Sequence, residues 1–184
     1  KKHTTLSFEE LHTLLHDKIH EVRLAAIFVL VAQYQKTNAE KKKQIVEFYL
    51  SHTSCINNWD LVDSSCYHIL GHYLLDKKRA ILYKLIKSPL LWERRIAMVS
   101  TLAFIRKNQF EDTIRIAELL LHDKHDLMHK AVGWMLREMG KKDVEVLRTF
   151  LDSHAKHMPR TALRYAIEKL GKEEQQKYLS RKML

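Results

Sequence analysis

Apolar residues recur along this chain at three- and four-residue intervals, and no segment shows the sustained alternation of a solvated strand. Ser7-Phe8-Glu9-Glu10 has the spacing of a capping box and leads into Leu11, Leu14 and Leu15. Ile19, Val22, Ala26, Ile27 and Leu30 outline a second helix that ends near Gln35. Asn38 caps a third, with Ile45, Phe48 and Tyr49 on its inner face. Asn57 or Asn58 then starts a long helix through Trp59, Val62, Cys66, Ile69, Leu70 and Tyr73. Ser88-Pro89 supplies an N-cap and a first-position proline for a helix through Arg95, Val99 and Leu102. Helices also fit residues 110–121 and 126–139, the second closed by Gly140, and Pro159 opens another closed by Gly171. The pattern predicts an all-α chain of about eleven helices without a sheet.

These helices repeat in pairs. Every second one carries a basic or aromatic residue followed by small or apolar ones: Arg23-Leu24-Ala25-Ala26, Trp59-Asp60-Leu61-Val62, Arg94-Arg95-Ile96-Ala97, Lys130-Ala131-Val132-Gly133 and Arg160-Thr161-Ala162. Arg23 to Arg160 spans 137 residues in four intervals, about 34 each, a period of helical-hairpin solenoids. The expected fold is an α–α superhelix of HEAT-like hairpins, one domain over residues 1–184. Its inner helices line a concave wall that presents Arg23, Trp59 with Asp63, Arg95, Lys130, Trp134, Arg137, Arg160 and Arg164. Lys130, Trp134 and Arg137 fall at i, i+4 and i+7, on one helical face.

Charge gives that wall a use. Lys and Arg number 32 against 22 Asp and Glu, a net charge of +10. A cationic groove fits a phosphate backbone, and two indoles beside it add stacking and cation–π surface. No apolar run approaches the ~20 residues of a membrane span. The two cysteines, Cys55 and Cys66, lack CxxC spacing, which fits a reduced intracellular chain in which both act as small buried hydrophobes. The chain begins Lys1-Lys2-His3 without a methionine, so the start reads as processed or trimmed.

Asn57-Asn58-Trp59-Asp60-Leu61-Val62-Asp63-Ser64-Ser65, Leu91-Trp92-Glu93-Arg94-Arg95-Ile96-Ala97 and Lys130-Ala131-Val132-Gly133-Trp134-Met135-Leu136-Arg137-Glu138, in that order, resemble the AlkD family of DNA alkylation repair glycosylases. Met158-Pro159-Arg160-Thr161-Ala162-Leu163-Arg164 is a weaker match. The resemblance implies removal of positively charged N3- and N7-alkylated purines from double-stranded DNA, with no metal and no cofactor. It implies Asp63 as the catalytic carboxylate, Trp59 and Trp134 as aromatics beside the lesion, and Arg95 on the DNA backbone. Lys130, Arg137, Arg160, Arg164 and Arg23 extend the phosphate wall. Family members usually carry further helices before the point that matches Lys1, so N-terminal helices are expected to be missing here. The expected state is a monomer without an obligate protein partner, cytoplasmic and DNA-associated.

The chemistry suits these residue types. An alkylated purine is already cationic and leaves without protonation, so one carboxylate suffices where a glycosidase uses two. Taken alone, Asp63 reads as a capping or salt-bridge residue and Trp59 as a core aromatic; the resemblance reverses both. Asp60, Trp92 and Arg94 read as structural. Two other readings remain: a DNA-structure-binding module of the same fold without catalysis, and a protein–protein scaffold. His12, His16 and His20 at i, i+4 and i+8, and His68 with His72, have spacings able to hold zinc. Without a cysteine at ligand spacing, no functional metal is expected there.

Overall fold

The computed structural model describes residues 5–180, and among them every regular element is helical. Helix α1 (Phe8–Leu15) begins with the capping box: Ser7 Oγ accepts from Glu10 N, and Glu10 Oε2 accepts from Ser7 N at 2.7 Å. Helices α2 (His20–Gln35) and α3 (Ala39–Ser51) follow, the latter capped by Asn38, whose side chain accepts from Lys41 N. A 3₁₀ turn over Thr53–Cys55 leads to α4 (Trp59–Asp63), started by Asn58. After a π-helical turn over Tyr67–Gly71 come α5 (Ala80–Leu85), α6 (Leu91–Ser100) and α7 (Leu102–Ile105). The last five are α8 (Glu111–Leu120), α9 (Asp126–Lys142), α10 (Val144–His154), α11 (Arg160–Ile167) and α12 (Lys172–Leu179).

Four boundaries depart from the sequence pattern, each for a local reason. The long helix expected from Asn57 to Tyr73 breaks after Asp63. Ser64 Oγ donates to Asp60 O and Ser65 Oγ to Leu61 O, both at 2.6 Å, and such back-bonding bends a helix. Pro89 stands outside α6, because Ser88 Oγ accepts from Leu90 N and holds a turn that delays the helix to Leu91. Gly140 is not a cap but lies inside α9, where a Cβ would collide with Leu147 of α10. Gly171 has φ −62° and N-caps α12 instead of closing α11.

The hairpins stack into an α–α superhelix around one apolar core that runs from Leu11 to Tyr178. Helix α9 packs against α6, α8, α10 and α11. Two glycines set the closest crossings: a Cβ on Gly71 would strike the carbonyl of Ser100, and one on Gly133 the carbonyl of Ala162. Cys66 is fully buried, as expected, whereas Cys55 is partly exposed. Among the described residues no helix is long and apolar enough to cross a membrane.

Candidate nucleic-acid interface

Asp63 ends α4, and Arg95 sits one turn into α6 on the next hairpin. The two side chains meet in a fork: Nε donates to Oδ1 at 2.9 Å and Nη2 to Oδ2 at 2.7 Å. The remaining terminal nitrogen, Nη1, donates to the carbonyl of Leu127 at the start of α9, so one guanidinium ties three successive hairpins. Arg95 is buried, with 5% of its surface exposed. Burial pushes the Asp63 carboxyl above the usual carboxylate range, and the bonds and charge of Arg95 pull partly back.

Around this pair the structure assembles one cleft from four elements. Trp59 and Asp63 come from α4 and Arg95 from α6. Helix α9 supplies Lys130, Trp134 and Arg137, as the i, i+4, i+7 spacing predicts. Trp59 is 55% exposed, which a core aromatic is not. Trp134 is half-buried and donates from Nε1 to Glu138 Oε1 at 3.2 Å. Leu127 and Tyr165 complete the lining. Sequence reasoning gave Tyr165 no role; its signal is an aromatic next to Arg164 on the first helix of the last hairpin.

Acids also stand along this wall. Lys130 Nζ lies 2.8 Å from Asp126, Arg137 pairs with Glu168, and Arg137 Nε is 3.7 Å from Glu138. The open cationic surface expected from composition is therefore a row of ion pairs. Pairs exposed to water are weak and salt-screened, so phosphate oxygens can exchange for the carboxylates.

A family model for the DNA alkylation repair enzyme matches residues 1–170. The chain belongs to this family. Among solved structures, a predicted DNA alkylation repair enzyme from Enterococcus faecalis has the same fold, with a TM-score of 0.71 and 18% identity over 92% of this chain and 79% of that one. No curated protein matches the chain by sequence.

Three of the basic residues expected on the wall of this DNA alkylation repair enzyme fall outside the cleft. Arg23 donates from Nη1 to the carbonyls of Asp17 and Lys18, at 2.8 and 3.1 Å. Arg94 does the same two repeats later, to Ser88 and Pro89, both at 3.0 Å, while its Nε reaches Asp123 at 2.6 Å. Both reach the carbonyls five and six residues back, so Arg23 is the repeat equivalent of Arg94 and not of Arg95. Each guanidinium satisfies carbonyls left over where the preceding helix or turn ends. Arg160 likewise donates to Leu179 O at 2.9 Å, at the end of α12. Arg164 is exposed on α11 but does not line the cleft.

The histidines divide differently from the sequence rows. His20 leaves the α1 series and bonds Asp60 Oδ2 at 2.6 Å, which gives Asp60 the structural role expected of it. His72 faces the hydroxyl of Tyr34 at 2.9 Å. His12 and His16 meet His52 and Cys55, residues that no sequence spacing linked to them.

Proposed function

We propose that this DNA alkylation repair enzyme is a glycosylase that hydrolyses the bond between C1′ and a cationic N3- or N7-alkylated purine in double-stranded DNA. The observation that carries the reading is a carboxylate, Asp63, held by a two-bond clamp in a cleft flanked by exposed Trp59 and half-buried Trp134. The C1′–N bond breaks with its electron pair passing to the purine, whose positive charge is thereby neutralised. Positive charge appears on the deoxyribose, and a fixed anion stabilises that state. Each oxygen of Asp63 has a second lone pair beyond the one given to Arg95, enough to orient a water for attack on C1′. The water's proton leaves through the carboxylate to solvent.

Trp59 and Trp134 give the cationic nucleotide two ring faces. Lys130 and Arg137 take phosphates, which position the duplex without reading sequence. Arg95 acts on Asp63 and not on the backbone: it sets the direction of both carboxylate oxygens.

One observation favours a second reading. Both oxygens of Asp63 are engaged by Arg95, as in a purely structural buckle, and this suits a DNA-binding module without catalysis. Duplex DNA containing 7-methylguanine separates the two. Base release by the wild type that is largely lost in Asp63→Asn, with binding retained, supports the glycosylase. Binding without release by the wild type supports the module, and loss of salt-dependent binding altogether removes both.

A further inference from the structure

Outside the cleft lining, two helix ends converge at one point. His16 is the C-cap of α1, and His12 lies one turn before it. His52 is the C-cap of α3, and Cys55 closes the 3₁₀ turn that follows. We infer that His12, His16, His52 and Cys55 form a four-coordinate site for a zinc-class divalent cation.

Three of the four donor atoms are already gathered. One ring nitrogen from each histidine lies within 4.8 Å of the others. His12 Nδ1 stands 2.9 Å from His52 Nε2, and Cys55 Sγ 3.3 Å from His16 Nε2. Tetrahedral zinc with nitrogen at ~2.0–2.1 Å and sulfur at ~2.3 Å sets neighbouring donors about 3.3–3.6 Å apart. Cys55 Sγ stands against His16 and outside the group of three, so rotation of the Cys55 side chain completes the set.

Ring tautomers are set for the same purpose. His16 Nδ1 lies 2.8 Å from the carbonyl of His12, and His52 Nδ1 2.7 Å from that of Phe48. A carbonyl only accepts, so both Nδ1 atoms carry the proton and both Nε2 atoms offer a lone pair to the cluster. Metal-binding histidines take this outer bond to fix tautomer and direction. In the metal-free state His12 Nδ1 carries the proton shared with His52. On metal binding that proton sits on His12 Nε2 instead, and the Cys55 thiol proton passes to solvent.

The surroundings favour a cation. Two helix C-termini point their partial negative ends at the cluster. Phe48 stacks on His52 with centroids 4.0 Å apart and Phe8 stacks on Phe48, an apolar wall behind the ligands. Three imidazoles and a thiolate select zinc or a similar borderline metal over the oxygen-seeking magnesium and calcium. With four protein donors and no open position, the site is structural. It staples α1 to the turn in which Thr53 Oγ1 bonds Glu93 at 2.6 Å and which ends four residues before Trp59.

This inference stands apart from the glycosylase reading, and its test reads no activity. The full chain, stripped with EDTA and dialysed, is titrated with cobalt(II) and then zinc(II). The expected results are one-to-one cobalt binding with intense tetrahedral visible bands and a near-ultraviolet thiolate charge-transfer band that Cys55→Ser loses. Zinc then displaces cobalt and raises Tm by several degrees, and His12→Ala and His52→Ala each weaken zinc at least tenfold. A weak octahedral spectrum from the wild type, or a charge-transfer band that survives in Cys55→Ser, overturns the site. So does unchanged zinc affinity in both histidine variants. The wild-type cobalt spectrum decides alone where a variant does not fold.

Discussion

The guanidinium of Arg95 meets the carboxylate of Asp63 edge to edge, both oxygens taken by separate nitrogens of one side chain. A single hydrogen bond leaves a carboxyl free to turn about its axis; two parallel bonds do not. The pair also joins α4 to α6, while the third bond of Arg95, to Leu127 O, reaches α9. Three of the four helices that line the cleft are thus referred to one guanidinium.

Breaking that fork should cost stability as well as function. Arg95→Ala leaves a carboxylate at 16% exposure without its counter-charge, and uncompensated buried charges cost about 3–5 kcal/mol. Asp63→Asn keeps an acceptor and a neutral amide against Arg95, so its loss should be smaller. Urea unfolding at neutral pH measures both. Equal stability of wild type and Arg95→Ala would show that the pair closes only on DNA.

The acidity of Asp63 sets a pH dependence with a definite sign. Burial raises the carboxyl above its ordinary value and Arg95 lowers it, the first effect being larger. The native state therefore binds this proton more tightly than the unfolded chain, whose value is ~3.9. Stability contributed by this group is full below the unfolded value and is lost as pH rises through the native one. Base release requires the ionised form, so its acid limb should lie above ~3.9. Arg95→Met, which removes the lowering influence, should move that limb to higher pH. A profile of single-turnover release against pH checks this, and a limb unmoved in Arg95→Met refutes it.

Much of this site was legible from helical period. Lys130, Trp134 and Arg137 share a face because 3.6 residues make a turn, and they line one cleft as expected. Asp63 and Trp59 were found through their motif. Their partners were not, because Arg95 on Asp63, Glu168 on Arg137 and His52 on His12 are each about thirty or forty residues apart, set by how hairpins stack. Arg23 was misplaced by one residue within the repeat: a 34-residue average cannot tell Arg94 from its neighbour Arg95, while the shared reach to carbonyls five and six residues back does. The break after Asp63 also escaped, since serine back-bonding is a competition that hydrophobic spacing does not register.

Trp59 separates function from folding. Its ring is more than half exposed, so Trp59→Ala should change unfolding free energy by under ~0.5–1 kcal/mol, as other surface substitutions do. Release of 7-methylguanine should nevertheless fall at least tenfold. Trp134→Ala should lower both, because the ring packs on the core and bonds Glu138. Retained release in Trp59→Ala would take that ring out of the site.

The turn after α7 offers a test of the fold alone. Asn108 has φ 57°, and the bonds Asn108 N to Ile105 O and Gln109 N to Phe104 O close a Schellman motif. Asn tolerates this left-handed position better than most residues. Asn108→Ala should cost about 1–2 kcal/mol in thermal or urea unfolding, whereas Asn108→Gly should be neutral or stabilising. A neutral alanine variant would mean that the turn relaxes.

Salt dependence of DNA binding distinguishes the basic residues that face phosphate from those that serve the fold. Lys130 is partly exposed, and among the described residues its ion pair is with Asp126, a neighbour one turn away that a phosphate can replace. Lys130→Ala should therefore reduce the slope of log K against log salt by about 0.9, one phosphate's worth of counterions. Asp126→Ala removes the competing carboxylate and should tighten binding while keeping the slope. Arg23→Ala and Arg160→Ala should leave the slope unchanged, because both guanidiniums are spent on backbone carbonyls. Titrations of an undamaged duplex across a salt series check all four. A slope that falls in Arg23→Ala but not in Lys130→Ala would move the phosphate path off the α9 face.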